Sequence, residues 1–208
     1  MSLLDDIALI VFAVCFSSYI AIFYFTMKTK KPSKYSVFQL IYDNWVKSRL
    51  NVESPLTAVQ ALRNFIMGNS TFVSSLFLLL GIIIGFSDNI MSNSSPVFGI
   101  DLFYLGIVQF SNTILMIVFS LFNFILSIRY ATRLSILITG KPDDFSIGEI
   151  GGITVTKQTL VSAQTHWTLG VRGLFFLAAS FFWFINGVLF LIITVAITIY
   201  LLLSHDIL

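Results

Sequence analysis

The chain has 208 residues, of which 57% are hydrophobic and only 11% are charged, and its formal net charge is +2. Soluble domains carry roughly 25% charged residues, so this composition excludes an ordinary soluble enzyme or a nucleic-acid-binding domain. The single cysteine, Cys15, excludes a disulfide framework or a thiolate metal site within one chain.

Four long stretches of the chain contain no charged residue. A helix needs roughly 20 apolar residues to cross the hydrocarbon core of a bilayer, and each stretch is long enough. The predicted spans are residues 7–27, 64–87, 102–128 and 173–204. Asp5 and Asp6 precede the first span where a signal peptide would have basic residues, so we expect this span to be retained. The sequence therefore predicts an all-α integral membrane fold, with residues 1–208 as a single four-span domain.

The basic residues are confined to two of the predicted loops. Residues 28–63 hold seven of the 12 lysines and arginines, and residues 129–172 hold the other five. Basic loops stay preferentially in the cytoplasm, so we expect both loops to be cytoplasmic and both termini to be extracytoplasmic. We expect the protein to lie in the cell membrane.

Residues 35–50, in the first cytoplasmic loop, form a predicted amphipathic helix. Its apolar residues recur at three- and four-residue spacing, and they are Tyr35, Phe38, Ile41, Tyr42, Trp45 and Val46. Such a helix either lies on the membrane surface or packs on another cytoplasmic helix, and the sequence leaves both alternatives open.

Three of the spans are expected to extend into the cytoplasm. Ser54 and Pro55 are typical of a helix start, and a helix from Pro55 to Phe86 would be about 48 Å long against a core of about 30 Å. Its first turns, with Arg63, therefore belong to the headgroup zone. The third helix is expected to continue to about Thr139, because no helix breaker precedes Gly140. Another helix is expected to begin near Thr156 and to enter the last span.

Polar side chains interrupt the apolar spans near their cytoplasmic ends. The second span carries a small, polar stripe of Asn64, Gly68, Thr71 and Ser75, together with Asn69, and the third carries Ser120, Asn123 and Ser127. Such residues either hydrogen-bond between helices or line a water-filled path, and both interpretations stay open. Asn186-Gly187 in the last span is either a packing contact with a mild kink or a broken-helix ion site. Gly81 and Gly85 form a GxxxG pattern that favours close helix packing.

We expect Asn64, Asn69 and Asn123 to meet inside the bundle near its cytoplasmic end. The residues expected to surround this point as a basic cytoplasmic mouth are Arg63, Arg129, Arg133 and Arg172. Candidate counter-charges on the same side are Glu53, Asp143, Asp144 and Glu149.

The sequence predicts neither catalysis nor a cofactor. His166 has no cysteine or carboxylate at metal-ligand spacing, so a hydrogen-bonded structural role is favoured over zinc binding. The role of Tyr130, which follows the polar residues of the third span, is open. No ionisable side chain lies deep within a predicted span, which argues against an intramembrane enzyme and a proton-coupled pump.

Three segments together resemble one known membrane family. They read LRNFIMGNS, NFILSIRYATRLSILI and HWTLGVRGLFFLAASFFWF, and over residues 45–190 the chain is similar to the family called domain of unknown function 599. Phe65 stands where that family often has serine. The resemblance implies a four-span integral membrane protein and no assigned activity.

Two functions from different classes remain open. In the first, a homo-oligomer forms an anion-favouring channel or passive transporter, in which the polar stripes line the path and the basic mouth concentrates anions. In the second, the protein is a non-transporting scaffold whose arginines bind anionic lipid headgroups at roughly 1 kcal/mol each. The polar stripes favour the channel, because lipid anchoring gives the asparagines no role beyond packing.

Overall fold

The computed structural model describes residues 2–28, 34–50, 56–92, 95–98, 100–140, 146–147 and 150–204. These residues form an almost entirely helical protein, as the sequence predicts. The helices are α1 (Ser2–Lys28), α2 (Lys34–Leu50), α3 (Leu56–Gly85), α4 (Ser87–Met91), α5 (Leu105–Thr139), α6 (Gly152–Trp183) and α7 (Gly187–Ser204). Two short antiparallel strand pairs join them, β1 (Pro96–Val97) with β2 (Ile100–Tyr104), and β3 (Ser146–Ile147) with β4 (Ile150–Gly151).

The antiparallel pair α5 and α6 forms the centre of the bundle and makes its most extensive contact. Helix α3 packs on α5 and buries Leu62, Asn69, Leu76 and Ile83, a seven-residue repeat that keeps one face towards its neighbour. Helices α1 and α7 pack on each other beside α6. Phe176 of α6 is fully buried there, against the rings of Phe12 and Phe16 of α1.

The segment predicted as one span, residues 173–204, is two helices. Helix α6 ends at Trp183, and α7 begins at Gly187 after a three-residue turn. The rings of Trp183 and Phe190 stack at 4.5 Å, and those of Phe175 and Tyr200 lie 6.1 Å apart. Helix α7 therefore folds back antiparallel along α6, and the prediction of one continuous helix here is wrong.

The turn is stabilised by two polar side chains. Asn186 caps α7, because its Oδ1 accepts a hydrogen bond from the Val188 amide at 2.7 Å. The Trp183 carbonyl has lost its partner in the next helical turn, and Gln109 Nε2 of α5 donates to it instead at 2.9 Å. Asn186 is itself exposed, so it caps the start of α7 and does not lie inside the bundle.

Three helices are long and apolar enough to cross a membrane, namely α1, α3 and α5. Helix α7 is apolar but shorter, and α6 carries Lys157 and Arg172 before its charge-free last part, residues 173–183. The prediction for the third helix, that it continues to Thr139, is confirmed. The described residues thus support a membrane protein with three such helices and an apolar α6–α7 hairpin.

The two ends of the bundle differ in charge, and we name them accordingly. Asp5, Asp6 and Asp88 lie at one end, the acidic end, where α1 and α5 begin and α3 and α6 finish. At the other end, the basic end, lie the described lysines and arginines of α2 and α3, together with those in the last turns of α5 and the first turns of α6. At the acidic end, Asp6 Oδ1 accepts a hydrogen bond at 3.0 Å from the amide of Phe98, which has a φ of 54°.

Helix α2 packs on other helices at the basic end. Val46 is fully buried in a cluster with Ala58, Leu62, Leu134, Ile138 and Leu160. Asp43 forms ion pairs with Lys157 of α6 and with Lys47, the latter at 3.0 Å. Val46, with Tyr42 and Trp45, therefore packs on other helices, whereas Phe38 and Ile41 of the predicted apolar face are exposed. A position of α2 on the membrane surface stays a prediction.

Candidate functional site

Polar side chains near the acidic end join α5 to α6. Asn112 Nδ2 donates to Ser180 Oγ at 2.9 Å, one turn from the bond between Gln109 and the Trp183 carbonyl. Both contacts were missed from the sequence. The polar run Gln109, Asn112 and Thr113 in an apolar span was the available signal, since its spacing places all three on one helical face.

The next polar contact towards the basic end joins Asn123, His166 and Tyr130. Asn123 Nδ2 donates to the Phe119 carbonyl at 2.8 Å, so its Oδ1 is the acceptor that faces His166 Nδ1 at 2.9 Å. The proton therefore lies on Nδ1 of His166. The ring of Tyr130 stacks on the imidazole at 5.5 Å. The structure thus brings together the two residues whose roles the sequence left open, and gives each a packing contact.

Ser120 and Ser127 lie on either side of this group in the same interface. Ser127 Oγ donates to the Ala163 carbonyl at 2.8 Å. Ser120 is fully buried, and its Oγ has no hydrogen-bond partner among the described residues. Gly173 faces Ser120, and Gly170 faces the ring of Phe124, so closely that a side chain at either glycine would collide. The small and polar residues of α5 and α6 therefore permit close packing.

The three asparagines expected to meet do not form one group. Asn64 and Asn69 are five residues apart, which turns their side chains roughly 140° from each other around the helix. Asn69 is buried towards α5 and donates to the Phe65 carbonyl at 2.8 Å, whereas Asn64 is exposed. The expectation for Asn64 is therefore wrong.

The small, polar stripe of the second span lies on the outside of the protomer. Asn64, Gly68, Thr71 and Ser75 are all exposed on α3. Gly81 and Gly85, further along the helix, have open space where a side chain would stand. None of these residues is used to pack α3 on α5.

Three of the four arginines are exposed at a similar level near the basic end. Arg129 and Arg133 are one turn apart on the outer face of α5. The stacking of Phe72 on Phe124 fixes the level of α3 against α5 and places Arg63 opposite Arg133. We call Arg63, Arg129 and Arg133 the basic edge. The candidate counter-charges Glu53, Asp143, Asp144 and Glu149 lie outside the described residues.

Arg172 lies apart from the basic edge. It precedes Gly173, which faces Ser120, so its level is about 12 Å closer to the acidic end than Arg129. It is half-buried, and its guanidinium carbon is 5.9 Å from the centre of the Phe175 ring. The four arginines therefore do not surround a single mouth.

The exposed side chains on the outer face of α5 change from apolar to basic towards the basic end. Its exposed large side chains are apolar over about 27 Å and are followed by the basic edge. In order they are Ile107, Leu115, Val118, Phe122 and Ile125, and one further exposed apolar side chain, Ile136, lies beyond Arg133. This length is close to the roughly 30 Å core of a bilayer. The basic edge thus lies where lipid headgroups would be expected.

The described residues contain no group of three histidine, cysteine or acidic side chains that could hold a metal ion. No curated protein and no solved structure matches the chain. A family model does match, and it covers residues 7–207, which is nearly the whole length. The chain belongs to this family, described as protein of unknown function, DUF599.

Proposed function

We propose that the protein is a non-catalytic integral membrane protein that holds anionic lipid headgroups at the basic edge. The observation that carries this proposal is the order of side chains on the outer face of α5, where an apolar stripe of bilayer length is followed at once by Arg129 and Arg133. Arginines at this level attract anionic headgroups by their charge and by paired hydrogen bonds to phosphate.

The hydrogen bonds between α5 and α6 support this function over a pore within one protomer. Asn123 and Ser127 already have protein partners, and Gly170 and Gly173 bring the two helices together. These polar groups therefore have a packing role that needs no water-filled path.

The proposal includes an orientation. The basic end faces the cytoplasm of the cell membrane, in agreement with the preference of basic residues for that side. The start of α1 is then extracytoplasmic. The end of α7 is cytoplasmic, because α7 runs back towards the basic end, and this replaces the expectation of an extracytoplasmic C-terminus.

Binding to nanodiscs of defined lipid composition tests the headgroup site. Spin-labelled phosphatidylglycerol should be immobilised by the wild type more than spin-labelled phosphatidylcholine. Arg129→Gln together with Arg133→Gln should lose roughly 2 kcal/mol, which is about a thirtyfold loss of selectivity. Lys47→Gln is the matched control, since Lys47 is exposed on α2 and paired with Asp43. Unchanged selectivity in the double variant would refute the proposal.

A second candidate function is an anion-favouring channel in a homo-oligomer. The observation that favours it is the outward position of Asn64, Gly68, Thr71 and Ser75 on α3, which would allow copies to meet along a small and polar helix face. Such a path would lie between protomers. Chloride flux into liposomes that contain the purified protein, and its loss in Ser75→Leu, would support the channel, and no flux would exclude it.

A further inference from the structure

The face of α6 that is turned away from α5 is incompletely covered by α1 and α2. Two cavities of about 330 and 340 Å³ remain on this side. The side chain of Phe23, from α1, is buried and lines both of them. We call the first of them, which also contacts α2, the α2 cavity. Its volume is at the lower end of the range found for small-molecule sites, roughly 300–1,000 Å³.

The lining of the α2 cavity combines a polar stripe with aromatic walls. Gln164, Thr168 and Arg172 are one turn apart along α6 and share one face. The aromatic side chains around them are Phe23, Phe38, Tyr42, Trp167 and Phe175. A cavity with this lining suits a ligand that is mostly apolar and carries one polar group.

The level of Arg172 indicates the charge of that polar group. Arg172 lies about 12 Å closer to the acidic end than Arg129, level with the apolar stripe of α5 and away from the headgroup level. Charged side chains at such a level are costly and are typical of binding sites and pathways. A guanidinium is well suited to a carboxylate or a phosphate, to which it can donate two parallel hydrogen bonds.

We propose that the α2 cavity binds a long-chain fatty acid, with its carboxylate on Arg172 and its chain against the aromatic walls. A single-chain ligand fits the small volume better than a two-chain phospholipid. A carboxylate can also lie deeper in the bilayer than a phosphate headgroup can. The site is independent of the proposed function, because the basic edge lies on α3 and α5 and contributes no residue to the cavity.

The test is a fluorescence titration of the purified full-length protein with cis-parinaric acid, a fatty acid that becomes emissive in apolar sites. Arg172→Gln should weaken binding on the order of tenfold to a hundredfold, since it removes a charge-assisted hydrogen bond. Arg129→Gln, in the basic edge, should leave the affinity unchanged. Cis-parinaric acid methyl ester should bind the wild type about as weakly as the free acid binds Arg172→Gln.

Thr168→Trp is a second variant, which keeps the charge and fills the cavity, and it should also abolish binding. Equal affinities of wild type, Arg172→Gln and Thr168→Trp would overturn the proposal, as would an equal loss in Arg129→Gln. Competition identifies the ligand class. Displacement by oleate supports a fatty acid, whereas displacement by phosphatidylglycerol alone would overturn that assignment. Lipid selectivity at the basic edge is measured separately, so either proposal can fail without the other.

Discussion

The indole Nε1 of Trp183 donates a hydrogen bond to Oδ1 of Asp5 at 3.1 Å, and this bond joins the start of α1 to the end of α6. Both side chains are buried. Gly187, the first residue of α7, faces the same carboxylate so closely that a side chain there would collide with it. The first turn of α1 therefore helps to hold the turn between α6 and α7.

Loss of the Asp5 acceptor should destabilise the protein. Asp5→Ala leaves the buried Trp183 indole without a partner, at a cost of about 1–3 kcal/mol in the free energy of unfolding. Asp5→Asn keeps an acceptor oxygen and should cost less. Thermal unfolding in detergent measures the difference, with Asp88→Asn on the exposed face of α4 as the matched control. Equal unfolding temperatures for Asp5→Ala and Asp88→Asn would contradict the structural role of Asp5.

Alanine substitutions at two glycines inside helices, Gly170 and Gly81, should change the free energy of unfolding in opposite directions. A Cβ at Gly170 would lie 2.9 Å from the ring of Phe124, so Gly170→Ala should cost about 1–3 kcal/mol through overpacking of α5 against α6. Gly81 has open space at this position, and Gly81→Ala should be neutral or should stabilise the helix by up to about 1 kcal/mol. Thermal unfolding of the two variants compares them directly. A destabilised Gly81→Ala would instead indicate that copies of the chain pack there.

The apolar runs predicted α1, α3 and α5 well, because a charge-free run of bilayer length leaves few alternatives to a helix. The end of α5 at Thr139 was also predictable, since Gly140 is the first residue that favours a helix stop. The α6–α7 turn was missed because apolar residues continue on both sides of it. Helix length was an unused signal, since residues 173–204 as one helix would be about 48 Å long, well beyond the hydrocarbon core.

The site was less predictable than the helices. Sequence spacing assigns a residue to a face of its own helix but does not say which neighbour covers that face. Asn69 and Asn123 are buried as expected, whereas Asn64 is exposed because α3 contacts α5 along a single narrow stripe. Arg172 could not be separated from Arg129 and Arg133, because its level depends on how α6 slides along α5.

The α6–α7 hairpin predicts where single cysteines can be labelled. In a Cys15→Ser background, Ile185→Cys should react with a membrane-impermeant maleimide from outside intact cells, because the proposed orientation places the acidic end, and the turn with it, outside. Leu203→Cys, at the other end of α7, should react only after the membrane is permeabilised. Gly140→Cys, beyond α5, is the internal control for the basic end. Labelling of Leu203→Cys and Ile185→Cys from the same side would exclude the hairpin.

Acid should loosen α2 from the bundle. Hydrogen bonds from Lys157, and to a smaller extent from Lys47, lower the pKa of Asp43 below the usual value of an aspartate. The folded-state pKa is thus below the unfolded one, so this pairing stabilises the fold above the unfolded pKa and is lost as pH falls through the folded value. Because the Asp43 side chain is partly exposed, the stability lost at low pH should be small.

Hydrogen exchange of the α2 amides measures this loosening. Exchange should be faster in Asp43→Asn than in the wild type at pH 7, and the difference should vanish once acid has protonated Asp43. Lys157→Gln should increase exchange more than Lys47→Gln, in the order of their effects on the pKa of Asp43. An equal response to the two lysine variants would show that Lys157 does not anchor α2.

Asn69 and Asn123 should respond differently to leucine, although both are buried and both donate to a carbonyl of their own helix. The Oδ1 of Asn69 has no hydrogen-bond partner among the described residues, whereas that of Asn123 accepts from His166. Asn69→Leu removes an unsatisfied buried atom and should be neutral or stabilising. Asn123→Leu leaves the His166 donor unpaired and should cost about 1–3 kcal/mol.

Thermal unfolding of both leucine variants, read beside chloride flux, separates packing from transport. If the two asparagines only pack helices, the melting temperature falls in Asn123→Leu alone, and neither variant changes flux. If Asn69 lines a path within the protomer, on the buried face of α3, Asn69→Leu lowers flux while its melting temperature is kept or raised. That second outcome would favour the channel, because an atom that contributes nothing to stability would then be needed for conduction.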